Sequence, residues 1–270
     1  MIRKIIFCLL LVISLSACAT LSGKKEISDA DINAQAAKSY AEVKSKSKIS
    51  TNPVWTAMVQ RVAARIARAS GENFQWEWVL IESPEVNAWC MPGGKIAVYT
   101  GIMPVLKNEA ALAAVLGHEV AHAVRRHGKQ RYARAMTENE IGLLVGGAAV
   151  IGGQLFCKTT ACKLLAAGGG VAAGFAITFF DRKFSRGDES EADQFGQEYM
   201  ARAGYEPSEA VRLWERMSIA MQGKAPPEWL STHPSDEHRR QKLTEWLPEA
   251  ESIYQAAPQH YGLGTNIPNS

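Results

Sequence analysis

Gly117-His118-Glu119-Val120-Ala121-His122 places two histidines four residues apart. The stretch lies in an apolar-rich run without proline, residues 109–127, which predicts a helix. Positions i and i+4 of a helix project from one face, one turn apart, so the two imidazoles can hold the same metal ion. Glu119 can reach a water molecule on that ion without being a ligand, which suits a general base. The pattern therefore predicts a zinc site with His118 and His122 as ligands and Glu119 as catalytic base.

The alternative is a chance pair of surface histidines. A chance His-Glu-x-x-His match has odds of roughly one per cent in a chain of this length with six histidines. Asn108 stands at the N-cap position of the predicted helix and Gly128 at the C′ position, so both helix ends are marked. The segment is also too apolar for a solvated face, as its aliphatic residues indicate: Ala111, Leu112, Val115, Leu116, Val120 and Val124.

A catalytic zinc site needs a third protein ligand besides two histidines and a water molecule. Metzincins continue the motif with glycine at position 125 and histidine at position 128, but this chain has Arg125 and Gly128. That class is excluded. His127 is five residues beyond His122, so on one continuous helix it is expected to point to a different side.

The better candidate for the third ligand lies in Asp188-Glu189-Ser190-Glu191-Ala192-Asp193. On a helix, Glu189 and Asp193 share a face at i and i+4, whereas Glu191 lies about 200° round from Glu189. Glu189 is therefore predicted to complete a His-His-Glu site. Asp193 is predicted to accept the other ring N–H of a ligand histidine. Without the first motif, an acidic solvated helix face would be the default interpretation of this stretch.

Residues 1–18 have the pattern of a targeting segment, with a basic start and an apolar run too short for a permanent membrane span. The segment ends in Leu15-Ser16-Ala17-Cys18, which resembles a bacterial lipobox. This resemblance implies cleavage before Cys18 and lipidation of that cysteine. The following Ala19 resembles lipoproteins sent to the outer membrane. An ordinary secretory signal with an incidental cysteine is the alternative.

The domain organisation is predicted from composition. A signal peptide covers 1–17, a polar tether 18–51, one domain 52–250, and a poorly ordered tail 251–270. With Arg3 and Lys4 removed from the 30 Lys and Arg, 28 remain against 27 Asp and Glu. This near-neutral charge gives no indication of a nucleic-acid partner.

Periodicity and turn residues predict the main elements of the domain. An amphipathic helix runs from Asn52-Pro53 to Gly71, and three strands follow at 74–81, 86–91 and 95–100. The predicted inward stripe of that first helix is Val54, Met58, Val62 and Ile66. Farther along, Gly204 ends the Glu189 helix, the next helix runs from Pro207-Ser208 to about Gln222, and the last helix stops before Pro248.

Two apolar runs, 141–156 and 164–180, flank a pair of cysteines. A buried helical pair that covers the catalytic helix is the favoured interpretation, and a membrane-skimming hairpin is the second. Cys157 and Cys162 could form a disulfide in an oxidising periplasm, which leaves Cys90 as a buried thiol.

Four linked motifs then occur in order: Asn87 to Gly101 with its Pro-Gly-Gly turn, HEVAH at 118–122, ESEAD at 189–193, and THP at 232–234 followed by Arg239. Over roughly residues 52–247 the chain resembles the gluzincin family of the CAAX prenyl proteases and HtpX, and within it most of all the periplasmic lipoprotein members. The resemblance implies a zincin-like α+β domain, mainly helical with a small β-sheet.

The same resemblance implies the roles of the site residues. One zinc ion per chain would be held by His118, His122 and Glu189, with Glu119 as base and Asp193 as a partner of the ligands. His233 would be a site residue that either stabilises the oxyanion or covers the zinc in a resting state. From its position, Arg239 is expected to clamp a carboxylate between helices.

The implied function is a membrane-anchored periplasmic zinc metalloendopeptidase that acts on misfolded or envelope proteins through a zinc-activated water. Its expected partners are protein or peptide substrates, the membrane through Cys18, and the outer-membrane assembly machinery, without nucleic acid. One alternative is a chaperone-like assembly factor whose latent peptidase site is gated by His233. Another is a lipoprotein with structural zinc. Structural sites normally have four protein ligands, so His233 as a permanent fourth ligand would distinguish the two kinds of site.

Overall fold

The computed structural model describes residues 27–137, 157, 160–166, 175–181, 183–220, 229, 232–233 and 237–268. The fold is α+β, mainly helical with one small sheet, as predicted. The helices are α1 (Asp29–Lys46), α2 (Pro53–Ala69), α3 (Met103–Leu106), α4 (Glu109–Val124), α5 (His127–Thr137), α6 (Thr160–Ala166), α7 (Arg186–Arg202), α8 (Ser208–Ala220) and α9 (Glu237–Ala256). The strands are β1 (Glu77–Ile81), β2 (Ala88–Met91) and β3 (Lys95–Tyr99); a 3₁₀ turn covers Thr100–Ile102 and a π-helical turn Ile177–Asp181.

The sheet has the strand order β1-β3-β2. β2 and β3 form an antiparallel hairpin whose turn contains Gly93 and Gly94, with φ angles of 77° and 81° that only glycine adopts readily. β1 pairs with β3 in parallel, Val79 opposite Ala97. The predicted strands are all present, with later starts than expected for the first two. Among the described strands, β2 and β1 are therefore the two edges.

Helices α2, α4, α7 and α8 pack around the first hydrophobic core on one face of the sheet. The start of α2 at Asn52-Pro53 is as predicted, and the Asn52 side chain caps the helix by accepting hydrogen bonds from two backbone N–H groups of the first turn. Met58, Val62 and Ile66 are fully buried in this core. Val54, the first member of the predicted stripe, is 51% exposed, so that part of the prediction is wrong.

Helix α1 covers the opposite face of the sheet, so the prediction of a tether is wrong for residues 29–46. Its Ile32, Ala36, Tyr40 and Val43 recur every three or four positions and are buried. They form a second core with the buried residues on this face of the sheet, with α6 and with the π-helical turn. Four small or apolar side chains at helical spacing thus give α1 a buried face, although the segment is rich in lysine.

The catalytic-motif helix is shorter than predicted. The Asn108 side chain caps it by accepting from the N–H of Ala111 at 2.9 Å, as expected. The helix ends at Val124, however, and Gly128 lies inside α5. Between the two helices Arg126 adopts a φ of 59°, and its guanidinium is held by carboxylates outside the helix, Glu72 and Asp29.

The C-terminal residues also differ from the prediction. Pro248 lies within α9, and residues 257–268 dock on the start of α4, so the predictions of a helix end before Pro248 and of a poorly ordered tail are wrong. The tail carbonyls of Thr265 and Leu263 accept the N–H groups of Glu109 and Ala110, both at 3.1 Å. These donors have no acceptor within their own helix, so the tail completes the first turn of α4.

Two cysteine predictions are confirmed. Cys157 and Cys162 form a disulfide, and Cys90 is a buried free thiol. The run 141–156 and much of the run 164–180 lie outside the described residues, as does Cys18. In the described part of the chain, no helix combines the length and apolar character needed to cross a membrane.

Helices α4 and α7 approach each other at two glycines, and this crossing positions the site. A Cβ atom on Gly117 would lie 2.5 Å from the carbonyl oxygen of Gly196, and a Cβ on Gly196 would lie 2.6 Å from the backbone nitrogen of His118. Both contacts are with backbone, which cannot yield as a flexible side chain can. Only glycine therefore permits this helix separation.

Gly196→Ala should separate α4 from α7 and weaken the fold. Overpacking costs about 1–3 kcal/mol, which corresponds to a fall in melting temperature of several degrees, roughly 2–4 °C per kcal/mol for a domain of this size. Thermal unfolding followed by circular dichroism measures it.

Gly187→Ala is the matched control, since it lies on the same helix and its added Cβ would meet only the Ser185 hydroxyl, at 3.8 Å. Equal melting temperatures for the two variants would contradict the proposed role of the crossing.

Candidate metal centre

Four side chains from distant parts of the sequence meet beside the α4–α7 crossing. His118 and His122 come from α4, Glu189 from the first turn of α7, and His233 from the segment before α9. The two α4 histidines have their Nε2 atoms 3.1 Å apart. His233 Nδ1 lies 3.1 Å from His118 Nε2 and 3.0 Å from Glu189 Oε1. All four donor atoms lie within 4.8 Å of one another, and all four side chains are buried.

The donor set and its spacing fit zinc. Imidazole nitrogens and a carboxylate oxygen are ordinary zinc ligands, and a tetrahedral ion with bonds of about 2.0–2.1 Å holds its ligand atoms roughly 3.3 Å apart. The separations given above match this edge length. The Glu189 carboxylate faces both rings, with Oε2 3.5 Å from His118 Nε2 and Oε1 3.5 Å from His122 Nε2. Burial also keeps the pKa of His122 well below its ordinary value, so the ring stays neutral, as a ligand must be.

His118 is held by Asp193, which is the residue predicted for this purpose. Asp193 Oδ1 lies 2.9 Å from Nδ1 of His118. A carboxylate can only accept a hydrogen bond, so the ring proton is on Nδ1. The Nε2 lone pair then points toward the other metal-ligand atoms. Burial works to raise the pKa of Asp193, but Arg239 holds it below its ordinary value.

Arg239 is the predicted clamp between helices. Its Nε and Nη2 atoms each lie 2.6 Å from an oxygen of Asp193. A third nitrogen, Nη1, pairs with Glu189 Oε2 at 2.7 Å. Arg239 therefore ties α9 to both predicted carboxylates of α7. It also fixes the orientation of the Glu189 carboxylate toward the histidines.

His127 lies against His122, which corrects the expectation that it points away. The two Nδ1 atoms are 2.9 Å apart, and His127 Nε2 is 2.6 Å from Glu191 Oε2. Because α4 ends at Val124, the positive φ of Arg126 turns the chain and brings His127 back under the ring of His122. A helical wheel drawn through residue 127 could not show this contact. His127 is still not among the four convergent donors.

Glu119 is buried beside the cluster, where a base is predicted. Its Oε1 atom accepts the indole N–H of Trp229 at 2.6 Å and lies 3.5 Å from His233 Nε2. Trp229 had no motif that marked it as a site residue. Its position could be found only from the fold, since its backbone N–H bonds to the carbonyl of Val86 beside β2.

Phe184 covers the cluster and was also missed. Its ring stacks on His122 with centroids 3.9 Å apart and on His233 at 5.1 Å. The guanidinium of Arg131 lies over the same ring, 3.7 Å from its centroid. The backbone N–H of Phe184 also donates to the Thr232 carbonyl, which joins this cover to the segment that carries His233.

The stretch that matches a known protein family contains all of these ligands. Residues 51–247 match peptidase family M48. The chain belongs to peptidase family M48. The membership agrees with the zincin-like fold and with the metal-binding group of two α4 histidines, Glu189 and His233.

Curated relatives of this M48 chain include a mitochondrial enzyme of yeast and a bacterial protease. The mitochondrial metalloendopeptidase OMA1 of Schizosaccharomyces pombe is 39% identical over 200 residues, which cover 73% of this chain and 54% of that protein. The beta-barrel assembly-enhancing protease of Escherichia coli K12 is 25% identical over 258 residues, 92% of this chain and 50% of that protein. The chain thus spans about half the length of these relatives.

Proposed function

We propose that this M48 protein is a zinc metalloendopeptidase of the bacterial cell envelope that hydrolyses misfolded or envelope proteins. The observation that carries the proposal is the convergence of His118, His122 and Glu189 beside a buried, oriented Glu119. Relatives named metalloendopeptidase and protease support the reaction type. The relative named for beta-barrel assembly supports an envelope substrate.

The residues of the site are arranged for hydrolysis of a peptide bond. When bound by the three ligands, zinc supplies Lewis acidity, which lowers the pKa of a water molecule toward neutrality and polarises a carbonyl. Glu119 accepts the proton of the attacking water and then donates it to the leaving amine. Trp229 holds the Glu119 carboxylate in place through the indole N–H. Asp193 and Arg239 keep the His118 ring and Glu189 fixed during the reaction.

An extended substrate would bind along the edge near residues 88–99. β2 is an edge strand there and has β3 as its strand partner among the described residues. Strand addition would give backbone hydrogen bonds that do not depend on substrate side chains. This mode suits a peptidase that acts on unfolded segments of many proteins.

The proposed location is the periplasmic side of the outer membrane, through lipid on Cys18. Expression of the full chain in a bacterium with labelled fatty acid should give a labelled protein in the outer-membrane fraction. Cys18→Ser should lose the label and leave the membrane fraction, because the acceptor thiol is gone. Cys90→Ser is the control and should keep the label. An unlabelled wild-type protein would contradict the lipid anchor.

Glu119→Gln should abolish hydrolysis without removing zinc. Loss of a general base typically costs about 10²–10⁴-fold in rate. The amide keeps the size of the side chain and an oxygen that can accept the Trp229 hydrogen bond. Casein-type hydrolysis and zinc content by mass spectrometry are measured on the same purified protein, with His118→Ala as the variant that should lose both. Full hydrolysis by Glu119→Gln would remove Glu119 from the role of base.

A second candidate function, a latent or gated peptidase, is favoured by the position of His233. His233 Nδ1 lies 3.1 Å from His118 Nε2 and 3.0 Å from Glu189 Oε1, close enough to act as a fourth ligand. A catalytic site keeps that position for water or substrate. We therefore propose that His233 closes the site at rest and that its departure opens the site. A purely structural zinc site would have the same four donors permanently.

His233→Ala should increase hydrolysis while one zinc per chain is retained. A site that is open in about 10% of molecules would gain about tenfold when it is always open. The assay with casein and the zinc measurement are the same as for Glu119→Gln. Lower hydrolysis with zinc retained would instead indicate oxyanion stabilisation by His233. Sharp loss of zinc without hydrolysis would favour the structural site.

A further inference from the structure

His127 occupies a position that the proposed chemistry does not use. It is 1% exposed, and its ring meets that of His122 edge-on, with centroids 4.9 Å apart at 74°. A buried histidine needs partners for its ring nitrogens. Here both nitrogens have one, Nδ1 at His122 and Nε2 at Glu191.

The direction of these hydrogen bonds follows from zinc ligation. A ligand His122 uses its Nε2 lone pair, so its proton is on Nδ1. That proton points at His127 Nδ1, 2.9 Å away, which must accept it. The proton of the neutral His127 is then on Nε2 and is donated to the Glu191 carboxylate at 2.6 Å. Every N–H donor in the series His122, His127 and Glu191 therefore meets an acceptor.

Glu191, the outer member of this hydrogen-bonded series, is held by residues at the protein surface. Arg125 holds Glu191 through Nε at 2.8 Å, and its guanidinium lies over the ring of Phe195 on α7. The Glu191 carboxylate is paired with the guanidinium of Arg125, so it offers only acceptor oxygens to His127.

The two α4 ligands have parallel supports. His118 is backed directly by Asp193, which is held by Arg239. His122 is backed by Glu191, held by Arg125, with one imidazole inserted between ring and carboxylate. Glu191, on the other side of α7 from Glu189, therefore supports His122 through His127.

We propose that His127 and Glu191 are positioning residues that fix the ring orientation and the Nδ1–H tautomer of His122 for zinc. The inference rests on the proposed zinc site. Without the acceptor at His127, the Nε2–H tautomer of His122 competes with the ligand form and zinc binds more weakly. Partners of this kind typically contribute 10–100-fold to metal affinity.

The experiment measures zinc affinity of the zinc-free full chain by competition with a chromophoric chelator, and the Co²⁺ absorption spectrum of the same samples. His127→Leu should bind zinc about 10–100-fold more weakly than wild type. His127→Asn keeps a side-chain oxygen as an acceptor near the Nδ1 position. It should therefore bind zinc about tenfold more tightly than His127→Leu. Glu191→Gln, at a side chain that is 35% exposed and keeps its size, should weaken zinc binding while leaving the fold intact.

His260→Leu, at an exposed histidine far along the chain, is the control and should match wild type. Asp193→Asn gives the reference for loss of a direct carboxylate partner. The melting temperature of each zinc-free variant separates folding from binding. Wild-type affinity in both His127→Leu and Glu191→Gln would overturn the inference, and so would His127→Asn as weak as His127→Leu. Absence of zinc binding by the wild type would instead refute the proposed function.

Discussion

The backbone contact between Gly117 and Gly196 is the constraint on which the rest of the site depends. It allows α4 and α7 to approach so closely that the first turn of α7 lies over the two ligand histidines. The ligand Glu189 then comes from the same helix as the carboxylates that support the ligands, Asp193 and Glu191. One helix crossing therefore sets both the ligand distances and the ring orientations. A side chain at either glycine would change all of them together, because each is carried by a rigid helix.

The crossing is held in place by segments at the two ends of the described chain. Carbonyls of residues 257–268 accept the free N–H groups at the start of α4, and Arg65 lies over the ring of Tyr261 in the same tail. At the other end of α4, Asp29 at the start of α1 binds Arg126 and Lys129. Neither support has a local sequence signal. Both depend on contacts between residues more than 90 positions apart, so composition alone suggested a tether and a loose tail.

The part of the site set by helical periodicity could be predicted from sequence. The spacing of His118 and His122, and of Glu189 and Asp193, places each pair on one face whatever the rest of the chain does. His127 was misplaced because a single left-handed residue ended the helix three positions early, and residue-by-residue geometry beyond that break no longer follows the wheel. Trp229 could not be predicted as a site residue, since no motif surrounds it and only the fold brings its indole to Glu119.

His233, the proposed gate, and Trp229, which binds the proposed base, are four residues apart in the sequence. The backbone N–H of His233 donates to the carbonyl of Trp229, whose indole binds Glu119. Phe184 joins this segment through Thr232 and stacks on the His233 ring. Withdrawal of His233 from the ligand cluster would therefore strain the contact between Trp229 and Glu119 and unstack Phe184. Opening of the fourth ligand position, release of the Glu119 carboxylate toward water and uncovering of His122 would then be one coupled movement. Trp229 is also bonded to the backbone just before β2, so this movement is linked to the edge along which the proposed substrate strand binds.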